Sequence, residues 1–152
     1  MNEIHEAHER KILNWDFPKQ TMFGFGDPPG DCWRCCIAAI LQMPADQVPH
    51  FMQISKRDGG SADADTNRWL TQRGYCLAKI GPGWESFNVI RWSKDPDPAL
   101  PIIECGPTVR SKKSGDDHAV VSLNGKLVYD PHPDNAGLLA TLYRYVVIKM
   151  FA

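Results

Sequence analysis

The chain has 152 residues, 43% of them hydrophobic and 23% charged, with 17 Lys+Arg against 18 Asp+Glu. That is about one domain's worth of chain, enough to bury a core without metal or disulfide staples, and a formal charge of −1 offers no basic footprint for nucleic acid. No apolar run reaches the roughly 18 residues of a membrane span, and the polar stretch Met1 to Lys11 does not read as a secretory signal. Five cysteines, an odd number with Cys35 and Cys36 adjacent, fit a reducing compartment better than a disulfide framework. The expectation is a soluble, single-domain, cytoplasmic protein.

In chain order, Asn2 to Asn14 reads as a short amphipathic helix ended by Pro18, so residues 1–18 form an N-terminal arm and residues 19–152 the domain proper. Lys19 to Asp31 is rich in Gly and Pro and reads as an irregular loop. Cys32 to Leu41 reads as a buried helix, with Asp31 as its N-cap and Pro44 beyond its end. A second helix is expected over Thr66 to Arg73, capped by Asp65 or Thr66 and punctuated by Gly74. After Gly74 the pattern turns to strands: Tyr75–Ile80, Pro101–Cys105, His118–Leu123, Lys126–Asp130 and Thr141–Lys149. Asp95 to Pro98 is a Pro-punctuated turn. Helices first and antiparallel strands afterwards define an α+β order.

The segment His118 to Asp130 carries Asn124-Gly125, a strong hairpin signal. A two-residue loop would mix Lys126 and Asp130 with Val121 and Leu123 on one face. A three-residue loop, Leu123-Asn124-Gly125 with Gly125 left-handed, gathers Ala119, Val121, Leu123, Leu127 and Tyr129 on a core face instead. Because a slip of one residue exchanges the faces, the cleaner segregation favours the longer loop. In that register His118 stands directly opposite Asp130, with Cβ atoms roughly 4.5–5.5 Å apart. A carboxylate there orients and charge-stabilises an imidazole, as the third member of a nucleophile–base–orienter set must.

The nucleophile candidate is Cys32. The first turn of a helix favours a thiolate through its unpaired N–H groups and the positive end of its dipole. Taken alone, Cys32 reads as a buried structural thiol, Cys being among the most buried residue types. The His118/Asp130 pair reverses that reading.

The ordered set Gly30-Asp31-Cys32-Trp33-Arg34-Cys35-Cys36, His118-Ala119-Val120-Val121 and Val128-Tyr129-Asp130-Pro131-His132-Pro133 resembles the papain-like cysteine peptidase superfamily in its compact bacterial and phage forms. It is most similar to small phage-encoded cysteine peptidases, which share Val48-Pro49-His50-Phe51 and an ending matched here through Gly137-Leu138. Bacteriocin-leader peptidase and transglutaminase-like domains are also similar. The resemblance covers roughly Gln20 to Leu138. It implies a papain-like fold, in which an N-terminal helical part bearing Cys32 packs on a C-terminal antiparallel sheet bearing His118 and Asp130. It also implies a protein or peptide substrate, no cofactor, and a bacterial host's cytoplasm as the setting. Such enzymes carry an oxyanion-stabilising Gln shortly before the cysteine, where this chain has Gly26. Gln20, further upstream, is the candidate donor, together with the backbone N–H of Cys32; one such donor contributed about 2.7–4 kcal/mol in a measured case.

Other readings stand beside these. Cys35 and Cys36 read as core. Cys32-x-x-Cys35 matches a redox spacing, without the surrounding βαβ pattern. The cysteines with His50 or His118 lack a second paired motif for zinc. Asp63 to Gly74 begins like a calcium loop but has Arg68 where Gly is required and Gly74 where Glu is required. His132 contacts substrate or stiffens its turn, Trp33 walls a cleft or joins the core, and His50 caps or plugs a turn. His5 and His8 read as exposed, and Trp84, Phe87 and Trp92 as packing residues. Ser111 to Asp117 is either a solvated loop or a rim of the site. The leading function is a cysteine-dependent amide hydrolase. The alternatives are a glutamine deamidase or acyl transferase with the same triad, and a non-catalytic phage-type inhibitor of a host protein.

Overall fold

A computed structural model describes residues 15–23, 29–80, 100–110, 117–123 and 125–150. The expected helix over Asn2–Asn14, the position of Gly26, Trp84, Phe87, Trp92, the Asp95–Pro98 turn and the loop before Asp117 lie outside these residues. The architecture is α+β. Among the described residues three α-helices, α1 (Cys32–Leu41), α2 (Phe51–Asp58) and α3 (Ala62–Thr71), precede five antiparallel strands, β1 (Tyr75–Ile80), β2 (Ile102–Gly106), β3 (His118–Leu123), β4 (Lys126–Tyr129) and β5 (Tyr143–Lys149). The sheet order is β1-β5-β2-β3-β4. Among the described residues no helix is long and apolar enough to cross a membrane.

α1 forms where its apolar run predicts and buries Trp33 and Cys35 through Ala39. It packs on β3, while α3 packs on β1 and α2 on α3. The core joins α1 to Ile103, Val121, Tyr129, Tyr145 and Val147 of the sheet. Polar ties lock the helices to it. Trp33 Nε1 donates to Thr66 Oγ1 at 2.9 Å, and the Tyr145 hydroxyl donates to Asp63 Oδ2 at 3.1 Å. Asn67 Oδ1 accepts from the Leu77 amide at 2.9 Å, covering part of the outer edge of β1.

Several expectations are corrected. α2 was not foreseen: only Phe51 of its eight residues is buried, so its apolar signal is thin, and His50 caps it by accepting from the Gln53 amide at 3.4 Å. α3 starts at Ala62 rather than Thr66, because Ser61 is the cap, accepting from the Ala64 amide. Asp31 makes no side-chain cap on α1. Its buried carboxylate instead accepts from the Met22 amide at 3.1 Å and from Arg34 at 3.3 Å. The residues expected to end the N-terminal arm already pack on the body: Trp15 and Phe17 lie against the core, and Pro18 O accepts from the Tyr129 hydroxyl.

The hairpin differs most. Leu123 pairs with Lys126 and Ser122 with Leu127, which leaves a two-residue loop containing Gly125 at φ 75. A bulge then shifts the register, so that Val121 pairs with Tyr129 and Val128 is the extra residue. Leu127, expected in the core, is 46% exposed. Beyond the bulge Asp130 comes opposite Val120, which makes His118 its diagonal neighbour on the same face. The short loop satisfies the Asn-Gly turn chemistry, and the bulge restores Tyr129 to the core.

Gly106 ends β2 opposite His118. A Cβ there would stand 1.9 Å from the carbonyl oxygen of Ala140, in the segment fastened to β2 by Leu139 N→Pro107 O and Leu142 N→Cys105 O. Backbone cannot yield as a side-chain tip can. Gly106→Ala is therefore expected to destabilise the fold by about 1–3 kcal/mol, read as a lower urea midpoint with unchanged slope.

Candidate active site

Cys32 opens α1, and His118 opens β3, the strand on which α1 packs. Asp130 follows β4. The structure brings all three together. His118 Nε2 lies 2.7 Å from Asp130 Oδ1, and both residues are buried, at 5% and 1% exposure. Cys32 lies near enough to the imidazole to favour its charged form. With Nε2 committed to Asp130, Nδ1 is the ring nitrogen left for sulfur.

Asp130 is held by more than His118. Its Oδ1 also accepts from the His132 amide at 2.9 Å, and its Oδ2 accepts from the Gly137 amide at 2.9 Å. The Asp-Pro-His-Pro…Gly segment thus wraps its own carboxylate, with Gly137 at φ 68 to complete the curl. Burial acts to raise the Asp130 pKa, but His118 and the two amides outweigh it and hold the carboxyl down to about 2. Burial likewise opposes the charged form of His118, and the hydrogen bond to Asp130 together with the neighbouring Cys32 overcomes it, lifting the imidazole to about 9. The arrangement favours an imidazolium beside the Asp130 carboxylate.

Burial acts on three of the other cysteines. Burial, helped by Asp31, pushes the Cys35 thiol up to about 12. Burial also pushes up Cys36 and Cys105, each further raised by the neighbouring Cys32. These thiols are neutral packing groups at ordinary pH. None of the five cysteines is bridged. Among the described residues no group of three His, Cys, Asp or Glu side chains is arranged to hold a metal.

Cys32 and His118 open onto a cavity of about 530 Å³ between the helices and the sheet. Gln20, Trp33 and His132 all line it. Gln20 is buried; its Nε2 donates to Met22 O at 2.7 Å, and its Oε1 has no partner among the described residues. Trp33 is both wall and core, its ring 4.9 Å edge-on to Tyr145. His132 Nδ1 accepts from the Asp134 amide at 3.2 Å, and its ring meets those of Phe23 and His118 edge-on at 5.3 and 6.4 Å. His50 lies outside the cavity and plugs a turn, its Nε2 3.1 Å from Pro29 O. Asp63 and Asp65 fall within α3 rather than in a loop.

Sequence reasoning missed Phe23, Met52, Cys105 and Tyr143 as wall residues. Phe23 and Tyr143 are exposed and Met52 stands on an unforeseen helix, so none of these three left a periodic signal. It also missed Gly137 as a donor to Asp130, although an isolated Gly shortly after a functional carboxylate marks a close backbone approach. Compared with protein-family models, curated proteins and solved structures, the chain matches none.

The pKa shifts set a pH window for stability. Asp130 contributes stability above its ordinary 3.8 and loses that contribution as pH falls through about 2. His118 contributes fully below its ordinary 6.5 and loses that contribution as pH rises through about 9. Asp130→Asn removes the charge and turns an amide donor toward Gly137 N–H, so it is expected to cost about 1–3 kcal/mol. In urea titrations the gap from wild type is greatest between pH 3.8 and 6.5 and narrows on either side.

Proposed function

We propose that the protein is a cysteine-dependent amide hydrolase of the papain-like type, acting on peptide or isopeptide bonds with Cys32 as nucleophile, His118 as acid and base, and Asp130 as orienter. The observation that carries this reading is the buried His118 imidazole, bonded to a fixed carboxylate and standing with Cys32 at the wall of one cavity. A merely structural histidine does not need a buried carboxylate partner, a neighbouring thiol and an opening onto a cleft.

In this reading Cys32 Sγ attacks the amide carbonyl carbon as thiolate, and the carbonyl oxygen becomes an oxyanion. The first-turn N–H groups of α1 and the second N–H of the Gln20 amide are its candidate donors. The tetrahedral species collapses as His118 gives its proton to the leaving nitrogen, so the C–N bond breaks and a thioester on Cys32 remains. His118, now neutral, takes a proton from water as that water adds to the thioester. Collapse then releases the acid and returns the proton-bearing imidazole and the thiolate. Asp130 keeps Nε2 protonated throughout and Nδ1 turned to sulfur.

At pH 7 Cys32 is expected to take up iodoacetamide faster than the comparably accessible Cys76, and His118→Ala to erase the difference, as read by peptide mass spectrometry. Against a peptide library, kcat/KM falls on the alkaline side near pH 9 as His118 loses its proton, and Cys32→Ala abolishes turnover. Ammonia release or amine incorporation without chain cleavage would move the same triad to a deamidase or transferase. Full cellular effect of Cys32→Ala, with no differential alkylation, would overturn the catalytic reading altogether.

A further inference from the structure

Lys19 sits on the strap between Pro18 and Met22, far along the chain from Asp130, yet its ammonium is spent on the loop that carries this carboxylate. Its Nζ donates to the backbone oxygen of Asp130 at 2.6 Å and to Asn135 Oδ1 at 2.6 Å, and lies 5.4 Å over the Tyr129 ring. These two acceptors stand at the start and near the end of the curl that wraps the Asp130 carboxylate, with Asn135 between the two residues whose amides hold it, His132 and Gly137. Asn135 is one of two described non-glycine residues at positive φ, at 52. Its backbone is thus in a region that L-residues other than Asn and Asp avoid, and a fixed side chain helps keep it there. The neighbouring positions of the strap repeat the attachment: Tyr129 hydroxyl donates to Pro18 O, and Gln20 N donates to Pro131 O at 2.9 Å. The strap then crosses to the nucleophile's side, where Met22 and Asp31 exchange hydrogen bonds just ahead of Cys32.

We infer that Lys19 is a positioning residue for the proposed reaction: by clamping the Asp130 carbonyl to Asn135 it fixes the curl in which the Asp130 carboxylate is presented to His118. The inference rests on the hydrolase reading for its importance to catalysis. Lysine suits the task because one compact ammonium offers several donors and reaches two acceptors at once. A neutral side chain of similar length fills the space and leaves both acceptors unmatched. Among the described residues a carbonyl and an amide, rather than a carboxylate, receive the charge.

The test compares wild type with Lys19→Met and Lys19→Arg. His118 is followed by NMR titration of its imidazole, and turnover of a peptide substrate by kcat and KM. The groups facing His118 are Cys32 from α1 and Asp130 and His132 from the loop after β4, and none of these is altered. Wild-type His118 is expected to titrate near pH 9. Lys19→Met is expected to move that titration to lower pH and to cut kcat about tenfold, the scale of one lost charged hydrogen bond, with KM little changed; Lys19→Arg restores most of both. If Lys19→Met lowers the melting temperature but leaves the His118 titration and kcat in place, Lys19 is a structural tether only and the inference falls. Should Lys19→Met not fold, Asn135→Gly removes one acceptor while glycine keeps the left-handed backbone, and it must move the His118 titration in the same direction. Failure of the hydrolase reading is read separately, in equal alkylation of Cys32 and Cys76 in wild type, and does not touch the titration of His118.

Discussion

The buried Asp130 carboxylate is the constraint around which the described site is organised. A charge removed from water at 1% exposure is tolerated only when its lone pairs are matched. Three donors do this: the His118 ring, the His132 amide and the Gly137 amide. Satisfying them dictates the curl of residues 130–137, the left-handed backbone of Asn135 and Gly137, and the face of β3 on which His118 stands. The strap from Pro18 to Met22 closes over the result. Remove the carboxylate's charge and each of these arrangements loses the reason for its shape.

Much of this was legible in the sequence, though not always for the right reason. The boundaries of α1 follow from an apolar run bounded by turn residues, and those of β1 and β3 from alternation between Gly- and Asn-centred turns. The meeting of His118 with Asp130 was expected from a continuous ladder and is reached instead through a two-residue turn and a bulge at Val128. Two errors cancel there. Asn-Gly demanded its short turn, Tyr129 demanded the core, and only an extra residue satisfies both. A bulge is a compromise between local turn chemistry and tertiary burial, so it leaves no local signature to read. α2 stayed hidden for a related reason: one buried Phe51 and one capping His50 are too little periodicity to distinguish a helix from a loop. The three triad candidates were individually legible, while the amides and the ammonium that hold them were not, since any backbone has amides and any surface has lysines.

The cysteines illustrate how position rather than residue type decides chemistry. Cys35 and Cys36 share α1 with Cys32, but burial keeps them protonated, and Cys105 on the facing strand is raised in the same way. With these three thiols neutral, the raised pKa of His118 owes nothing to them: Asp130 and the neighbouring Cys32 are what lift it against burial.

A charged site of this kind demands rigid walls, because a displacement of about an ångström between reacting groups forfeits much of what orientation supplies. The two walls meet here through aromatic contact and polar ties rather than through one continuous element. Trp33, next to Cys32 on α1, packs edge-on against Tyr145 of β5 at 4.9 Å. Trp33 Nε1 and the Tyr145 hydroxyl then both run to α3, to Thr66 and Asp63 respectively. α3 thus grips the helix wall and the sheet wall through neighbouring turns of one rod. On the opposite side the strap does the same, fastened to Pro131 at Gln20 and to Asp31 at Met22. Cys32 and His118 are consequently held from both sides of the cavity, by α3 and by a strap carrying Lys19 and Gln20. The sulfur comes from a segment far along the chain from the hairpin that carries imidazole and carboxylate, so the alignment of the three exists only once the helices, the sheet and the strap have all closed.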